Sequence, residues 1–158
     1  MPEYKYNQGE IYNLSIQYGT LNEEERFKIS DHVMQTIVML EELNFPIGLQ
    51  KVPLYAGSHH ERMDGGGYPK GIPGEEMPIP SKIIAIADIY EALTAADRPY
   101  KQAKTQKEAI AILAEMVDQG HIDGDLFRLF VSAEIYAEYA SEYLQEFQID
   151  EVDTAQYL

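Results

Sequence analysis

Seventeen residues in the middle of the chain, DGGGYPKGIPGEEMPIP from Asp64 to Pro80, contain five glycines and four prolines. No helix or strand can run through such a stretch. Proline fixes φ and removes a backbone donor, and glycine loses the most conformational freedom when ordered. Regular structure must therefore fall into two groups, one on each side. The stretch is too short and too central to separate two cores, so it reads as a long structured loop within one domain. A chain of 158 residues has the length of a single domain with a real core.

The flanking segments carry helical periodicity. In LNEEERFKISDHVMQTIVMLEEL, Asn22 and Glu25 form a capping-box pair, and Ile29, Val33, Ile37 and Leu40 follow helical spacing. This helix is expected to end near Pro46, which turns Phe45 away from helical geometry. A second helix is expected over about 48–60, with Leu49, Val52, Ala56 and His59 or His60 along one side. Beyond the loop, SKIIAIADIYEALTAAD is apolar on nearly every side, which predicts a central buried helix stopped before Pro99. TQKEAIAILAEMVDQG predicts a helix capped by Thr105 and Glu108, with Gly120 at the C′ position. DGDLFRLFVSAEIYAEYASEYLQEF reads as one last long helix, whose Tyr136, Tyr139 and Tyr143 make a packing stripe. Residues 1–20 are a polar and aromatic lead-in, 21–146 the helical domain, and 147–158 an acidic tail expected to fray. There is no alternating strand pattern, internal repeat or low-complexity tract. The expected fold is all-α, a bundle of about five main helices.

A net charge of −15 argues against binding a nucleic-acid polymer, whose phosphates most of this surface would repel. The charge is uneven. Residues 108–158 hold twelve acids and one base, Arg128, whereas 62–107 hold seven of the twelve bases. A small anionic ligand can thus be met locally. No cysteine is present, which excludes disulfides and thiolate metal sites. The start MPEYKYNQGE has neither the basic nor the apolar region of a signal peptide, and no apolar run is long enough to span a bilayer. These features suggest a cytoplasmic protein without a membrane segment.

Half of the four histidines stand together in HHERMDGGGYP, residues 59–69. Adjacent helical residues diverge by about 100°, so His59 and His60 reach one point only from a helix end or with two metals between them. They also read as two exposed polar residues closing a helix. Asp88 interrupts IIAIADIY, where a buried carboxylate must be paired, protonated or metal-bound; pairing with Arg98 is the structural alternative. His32 lies beside the apolar stripe of the first helix and reads equally as a satisfied core residue. Together the four suit a divalent metal such as Fe, Mn, Ni or Zn, with open positions for water and substrate oxygen. Arg98 and Lys101 follow on the next loop, placed by sequence to meet a phosphate. His121 reads as loop or helix-start chemistry and stays outside this set.

HHERMDGGGYPKG, then IPSKIIAIADIYEALTAADRPYK, then QGHIDGDLF resembles the HD-GYP subfamily of HD-domain phosphohydrolases, over about Leu21 to Val131. The resemblance implies a helical bundle with a two- or three-metal centre that hydrolyses cyclic di-GMP, or a related cyclic dinucleotide, to linear products. It makes His32, His59, His60 and Asp88 the later metal ligands of the family. It makes Gly67, Tyr68 and Pro69 the signature of the substrate-side loop, with Tyr68 lining the guanine side, and assigns Arg98 and Lys101 to substrate phosphate. Glu61 and Asp64 are expected to hold the loop and orient the histidines.

One departure matters. The His-Asp dyad that names the family lies upstream of the helix holding His32, and the dipeptide His-Asp occurs nowhere in this chain. An earlier His or Glu ligand is missing too. The expectation is a C-terminal piece of a longer protein whose upstream part carries the dyad and a sensor or receiver domain, with the piece alone inactive or weak and its metal sites partly or wholly empty. The alternatives are an inactive HD-GYP-like signalling or protein-interaction module, as a monomer or homodimer, and an HD phosphohydrolase for another nucleotide.

Overall fold

The computed structural model describes residues 22–96 and 103–158. These form six α-helices: α1 (Glu23–Glu41), α2 (Val52–Gly57), α3 (Ile79–Thr94), α4 (Gln106–Asp118), α5 (Gly124–Ser132) and α6 (Ile135–Tyr143), followed by 3-10 turns at Glu146–Gln148 and Thr154–Gln156. No strand occurs among the described residues, and the fold is all-α as expected. The lead-in 1–20 lies outside the described residues, as does the side chain of Glu25 in the first capping pair.

Helix α4 shows how local sequence fixes an element. The Thr105 side chain accepts the Glu108 amide, and the Glu108 carboxylate accepts the Thr105 amide in return. At the other end Gly120 takes φ +66°. Its amide donates to Val117 O at 2.9 Å, and the His121 amide donates to Met116 O at 2.8 Å. That pair of bonds is a Schellman motif, which satisfies the last carbonyls and favours a residue without Cβ in the left-handed region.

The core lies between α3, α4, α5 and α6. Ile86 and Tyr90 of α3 meet Ala109, Ile110 and Leu113 of α4, Ile122 of the following loop, Phe127 and Val131 of α5, and Tyr136 of α6. Burying Ile110 or Leu113 contributes about 1.5–3 kcal/mol each. Helix α1 packs on α2, and α2 packs on α3, so the first two helices join the core through α2.

Four expectations about the helices are corrected. Helix α1 stops at Glu41, before the proline signal, and α2 occupies only Val52–Gly57 of the stretch expected to be helical; residues 46–51 are turns closed by Leu49 N–H to Pro46 O and Val52 N–H to Leu49 O. The last long helix is two helices, broken at Glu134 with φ 53°. The reason is phase. A straight helix burying Phe127 and Val131 would next turn Glu134, Glu138 and Glu142 inward. The break resets the register so that Tyr136 and Ala140 are buried instead. Helix α3 is not buried on all sides. Ser81, Ala85, Ile86, Tyr90 and Thr94 are buried, while Ile83, Ile84, Ala87 and Asp88 are exposed.

The C-terminal segment, expected to fray, packs on the helices, with Val152 and Tyr157 against the core. Gln148 is fully buried. Its Nε2 donates to Thr94 O at 2.8 Å and Lys104 O at 2.9 Å, and its Oε1 accepts the Gln145 amide. One amide side chain thus ties the tail to the end of α3 and the approach to α4. Within the tyrosine stripe, Tyr136 is buried and Tyr139 packs on the core, but Tyr143 is exposed.

Candidate metal centre and its cavity

His59 and His60 follow the end of α2 in a turn, since Ser58 is the C-cap and departs from helical geometry. Leaving the helix lets adjacent rings approach each other, with centroids 4.2 Å apart. His32, from the middle of α1, comes in edge-on to His60 at 5.1 Å. Ligating nitrogens of the three histidines lie within 4.8 Å of one another. His60 Nε2 and His32 Nε2 are 3.3 Å apart. Two nitrogens held at about 2.0–2.1 Å from one tetrahedral ion would be about 3.3 Å apart, so this spacing fits a shared metal.

The donor chemistry fits as well. His59 Nδ1 lies 2.6 Å from Ala56 O. A carbonyl only accepts, so Nδ1 carries the proton and Nε2 is left with its lone pair for an ion. Burial first, then the neighbouring His59, push His60 down to about 4, against the opposing pull of Asp88. Its ring is therefore neutral near pH 7, the state that ligates metal.

Asp88 is exposed rather than buried, which removes the desolvation argument for it. It nonetheless lines one cavity of about 440 Å³ with His59 and His60. That cavity also takes Arg62, Gly66, Gly67, Tyr68 and His121, with Ile89, Ala92 and Leu93 as its apolar lining. Asp88 is not within the tight nitrogen cluster of the three histidines. His121, set aside at the sequence level, is brought in because the Schellman turn docks on the glycine loop. The Asp64 amide donates to Gly120 O at 2.8 Å and the Met63 amide to His121 O at 3.2 Å. Burial first, then the Arg62 guanidinium, push His121 below the usual histidine range. The sequence signal was its place directly after a C′ glycine, where a side chain is held by a fixed turn.

The loop is built around Glu61. This residue is buried, and its two oxygens accept the amides of Lys70 at 2.7 Å and Ile72 at 3.1 Å. Asp64 accepts Gly66 N–H through one oxygen and Arg62 Nη2 through the other, both at 2.8 Å. Both acids thus hold loop backbone. Gly67 is required by close approach: a Cβ there would lie 2.5 Å from Glu61 Cα and from Arg62 N. Tyr68 stacks on His60, and its peptide bond to Pro69 is cis. Gly67 and Tyr68 line the cavity; Pro69 closes the signature beside it. Arg98 and Lys101 lie outside the described residues.

The sequence profile described as HD domain matches residues 1–126. The chain belongs to the HD-domain family. This HD-domain chain is 40% identical over 113 residues to the 3'3'-cGAMP-specific phosphodiesterase 1 of Vibrio cholerae, covering 72% of the chain and 25% of that relative. It is 41% identical over 91 residues to a cyclic di-GMP phosphodiesterase of Thermotoga maritima, covering 58% and 24%. It is 49% identical over 65 residues to the cyclic di-GMP phosphodiesterase response regulator RpfG of Xanthomonas campestris, covering 41% and 17%. The matched part spans a quarter or less of the length of these relatives. With the intact HHERMDGGGYP string, they place the HD domain in the HD-GYP branch. No helix among the described residues is long and apolar enough to cross a membrane.

Proposed function

We propose that this HD domain is part of a cytoplasmic, metal-dependent phosphodiesterase that hydrolyses a cyclic dinucleotide, cyclic di-GMP foremost, in bacterial second-messenger signalling. The observation that carries the reading is the convergence of His32, His59 and His60, of which His59 and His60 line a cavity together with Asp88 and Tyr68. The names of the relatives divide between cyclic di-GMP and 3'3'-cGAMP, which leaves the choice of base open.

His32, His59 and His60 would hold one ion, with Asp88 as a further carboxylate ligand from α3. When bound, divalent ions such as Fe, Mn, Ni or Zn polarise a phosphodiester and lower the pKa of water. The remaining work belongs to the chain. The Ala56 carbonyl fixes the tautomer of His59, Tyr68 holds the His60 ring by stacking, and Glu61 keeps the glycine loop closed beneath both. Arg98 and Lys101 offset phosphate charge. The lack of a His-Asp dyad favours a parent protein that supplies it upstream, together with a sensor or receiver domain. It also supports a second reading, a non-catalytic signalling or interaction module, monomeric or dimeric.

Metal analysis of the purified chain, with a cyclic di-GMP hydrolysis assay on the full-length parent in Mn or Fe, tests the reading. Metal bound by the wild type and lost in His59→Ala and His60→Ala, with linear product from the parent, is expected. Bound metal without product from the parent points to the interaction module. Neither metal nor product ends the enzyme reading.

A further inference from the structure

Helix α3 ends at Thr94 and α4 opens at Gln106, and the connection between them carries Arg98 and Lys101 in sequence. The two ends of that connection are joined by a residue from far along the chain. Gln148 is fully buried. Its amide nitrogen has two hydrogens, and both are used, one on Thr94 O at 2.8 Å and one on Lys104 O at 2.9 Å. The Lys104 amide in turn donates to Leu93 O at 3.0 Å. The last carbonyls of a helix have no partner within it. Here Leu93 O is met by the approach to α4 and Thr94 O by the tail. The neck so formed stands at the cavity, because Ala92 and Leu93 belong to the cavity wall.

The tail that delivers Gln148 is itself anchored. Gln148 Oε1 accepts the Gln145 amide at 3.2 Å, Asp150 Oδ1 accepts the Lys107 amide at 2.9 Å, and Gln106 Nε2 donates to Asp150 O. Beyond it, Val152 and Tyr157 pack on the core. The match to the HD-domain profile covers residues 1–126, so the residue that holds the neck comes from outside it. The histidine cluster is built elsewhere, on α1 and in the turn after α2. Separate parts of the chain thus support the neck and the metal centre. We propose that Gln148 is a positioning residue for the nucleotide. It fixes the two points between which Arg98 and Lys101 are carried, so nucleotide affinity depends on the C-terminal tail and metal affinity does not. The inference rests on the cyclic-dinucleotide reading above and on its assignment of Arg98 and Lys101 to phosphate.

The test is titration of the Mn-loaded chain with fluorescent cyclic di-GMP at low and high salt, beside a Mn titration of each variant. Gln148→Met keeps the buried volume and removes both donors. Gln148→Asn keeps an amide that is one methylene short of the neck. Asp153→Ala is the control, loosening the tail farther on, where the carboxylate accepts the Ala155 amide. In Gln148→Met, cyclic di-GMP affinity should fall roughly tenfold or more, the scale of one lost charge-assisted contact. The binding that is left should depend less on salt, because fewer charged contacts are made. Mn affinity should be unchanged. Gln148→Asn should show the same split more mildly, and Asp153→Ala should bind nucleotide as wild type does. Unchanged nucleotide affinity in both Gln148 variants overturns the inference. So does a parallel loss of Mn and nucleotide in both, which would assign Gln148 to stability alone, and so does an equal nucleotide loss in Asp153→Ala. A wild type that takes up Mn yet binds no cyclic di-GMP removes the cyclic-dinucleotide reading itself, and the inference with it.

Discussion

Tyr68 lies nearly flat on His60, with ring centroids 4.8 Å apart and planes inclined by 19°, while the Tyr68 amide donates to the His60 carbonyl at 3.2 Å. The signature loop is therefore tied to a candidate metal ligand twice, once through backbone and once through rings. Tyr68→Phe keeps the stack and should leave metal affinity within about threefold of wild type. Tyr68→Ala removes it and should weaken metal binding by about 0.5–1.5 kcal/mol, the usual worth of an aromatic pair. Metal titration of both variants checks this, and equal affinities would show that the stack does not orient His60.

Gly67 has backbone on its open side. A methyl group there meets Arg62 N, Glu61 Cα and Glu61 C at 2.5–2.6 Å, and backbone cannot swing aside as a side-chain tip can. Gly67→Ala should destabilise the fold by about 1–3 kcal/mol, the scale of overpacking, and displace the loop from His60. Urea unfolding gives the first quantity and metal uptake the second.

Glu61→Gln replaces one of two acceptor oxygens with an amino group that faces a backbone N–H. With Glu61 only 2% exposed, water cannot repair the loss, and a cost of about 2–3 kcal/mol is expected. Glu61→Gln with wild-type stability would mean that the Lys70 and Ile72 amides find other partners.

Asp123 caps α5, accepting the amides of Leu126 and Asp125 at 3.1 Å, and it pairs with Lys82 at 3.0 Å. Burial by itself would raise its carboxyl, but the Leu126 amide, Lys82 and the Asp125 amide outweigh it and hold the group below the usual carboxylate range. The folded state then binds this proton more weakly than the unfolded chain, so the contribution to stability is present above the ordinary value of 3.8 and is lost as pH falls through the lower folded value. Asp123→Asn should cost about 1–2 kcal/mol at neutral pH. The difference from wild type should shrink below about pH 4. Paired denaturation curves from pH 7 down to pH 3 measure it, and a gap that widens in acid would reverse the sign.

Much of this was readable in residues taken singly or in short windows. The capping box at Thr105 and Glu108, the C′ glycine at 120, the helical class and the intact HHERMDGGGYP string follow from chemistry that acts within a turn or two of chain. Even the break at Glu134 had a local trace, since the glutamates at 134, 138 and 142 fall where a straight helix would be buried. What sequence misjudged was burial and neighbourhood. Asp88 sits in an apolar segment yet is exposed, because α3 packs through one face only. His121 stands 61 positions from His60 and enters the cavity through two hydrogen bonds between loops. The sequence by itself determined the helical class, the capping of α4 and the family, because those depend on contacts near in the chain. Only the tertiary structure decided that His32, His59 and His60 converge and that His121 lines one cavity with His59 and His60, because such meetings are set by how α1, α2, α3 and two loops pack, and no local pattern encodes that distance.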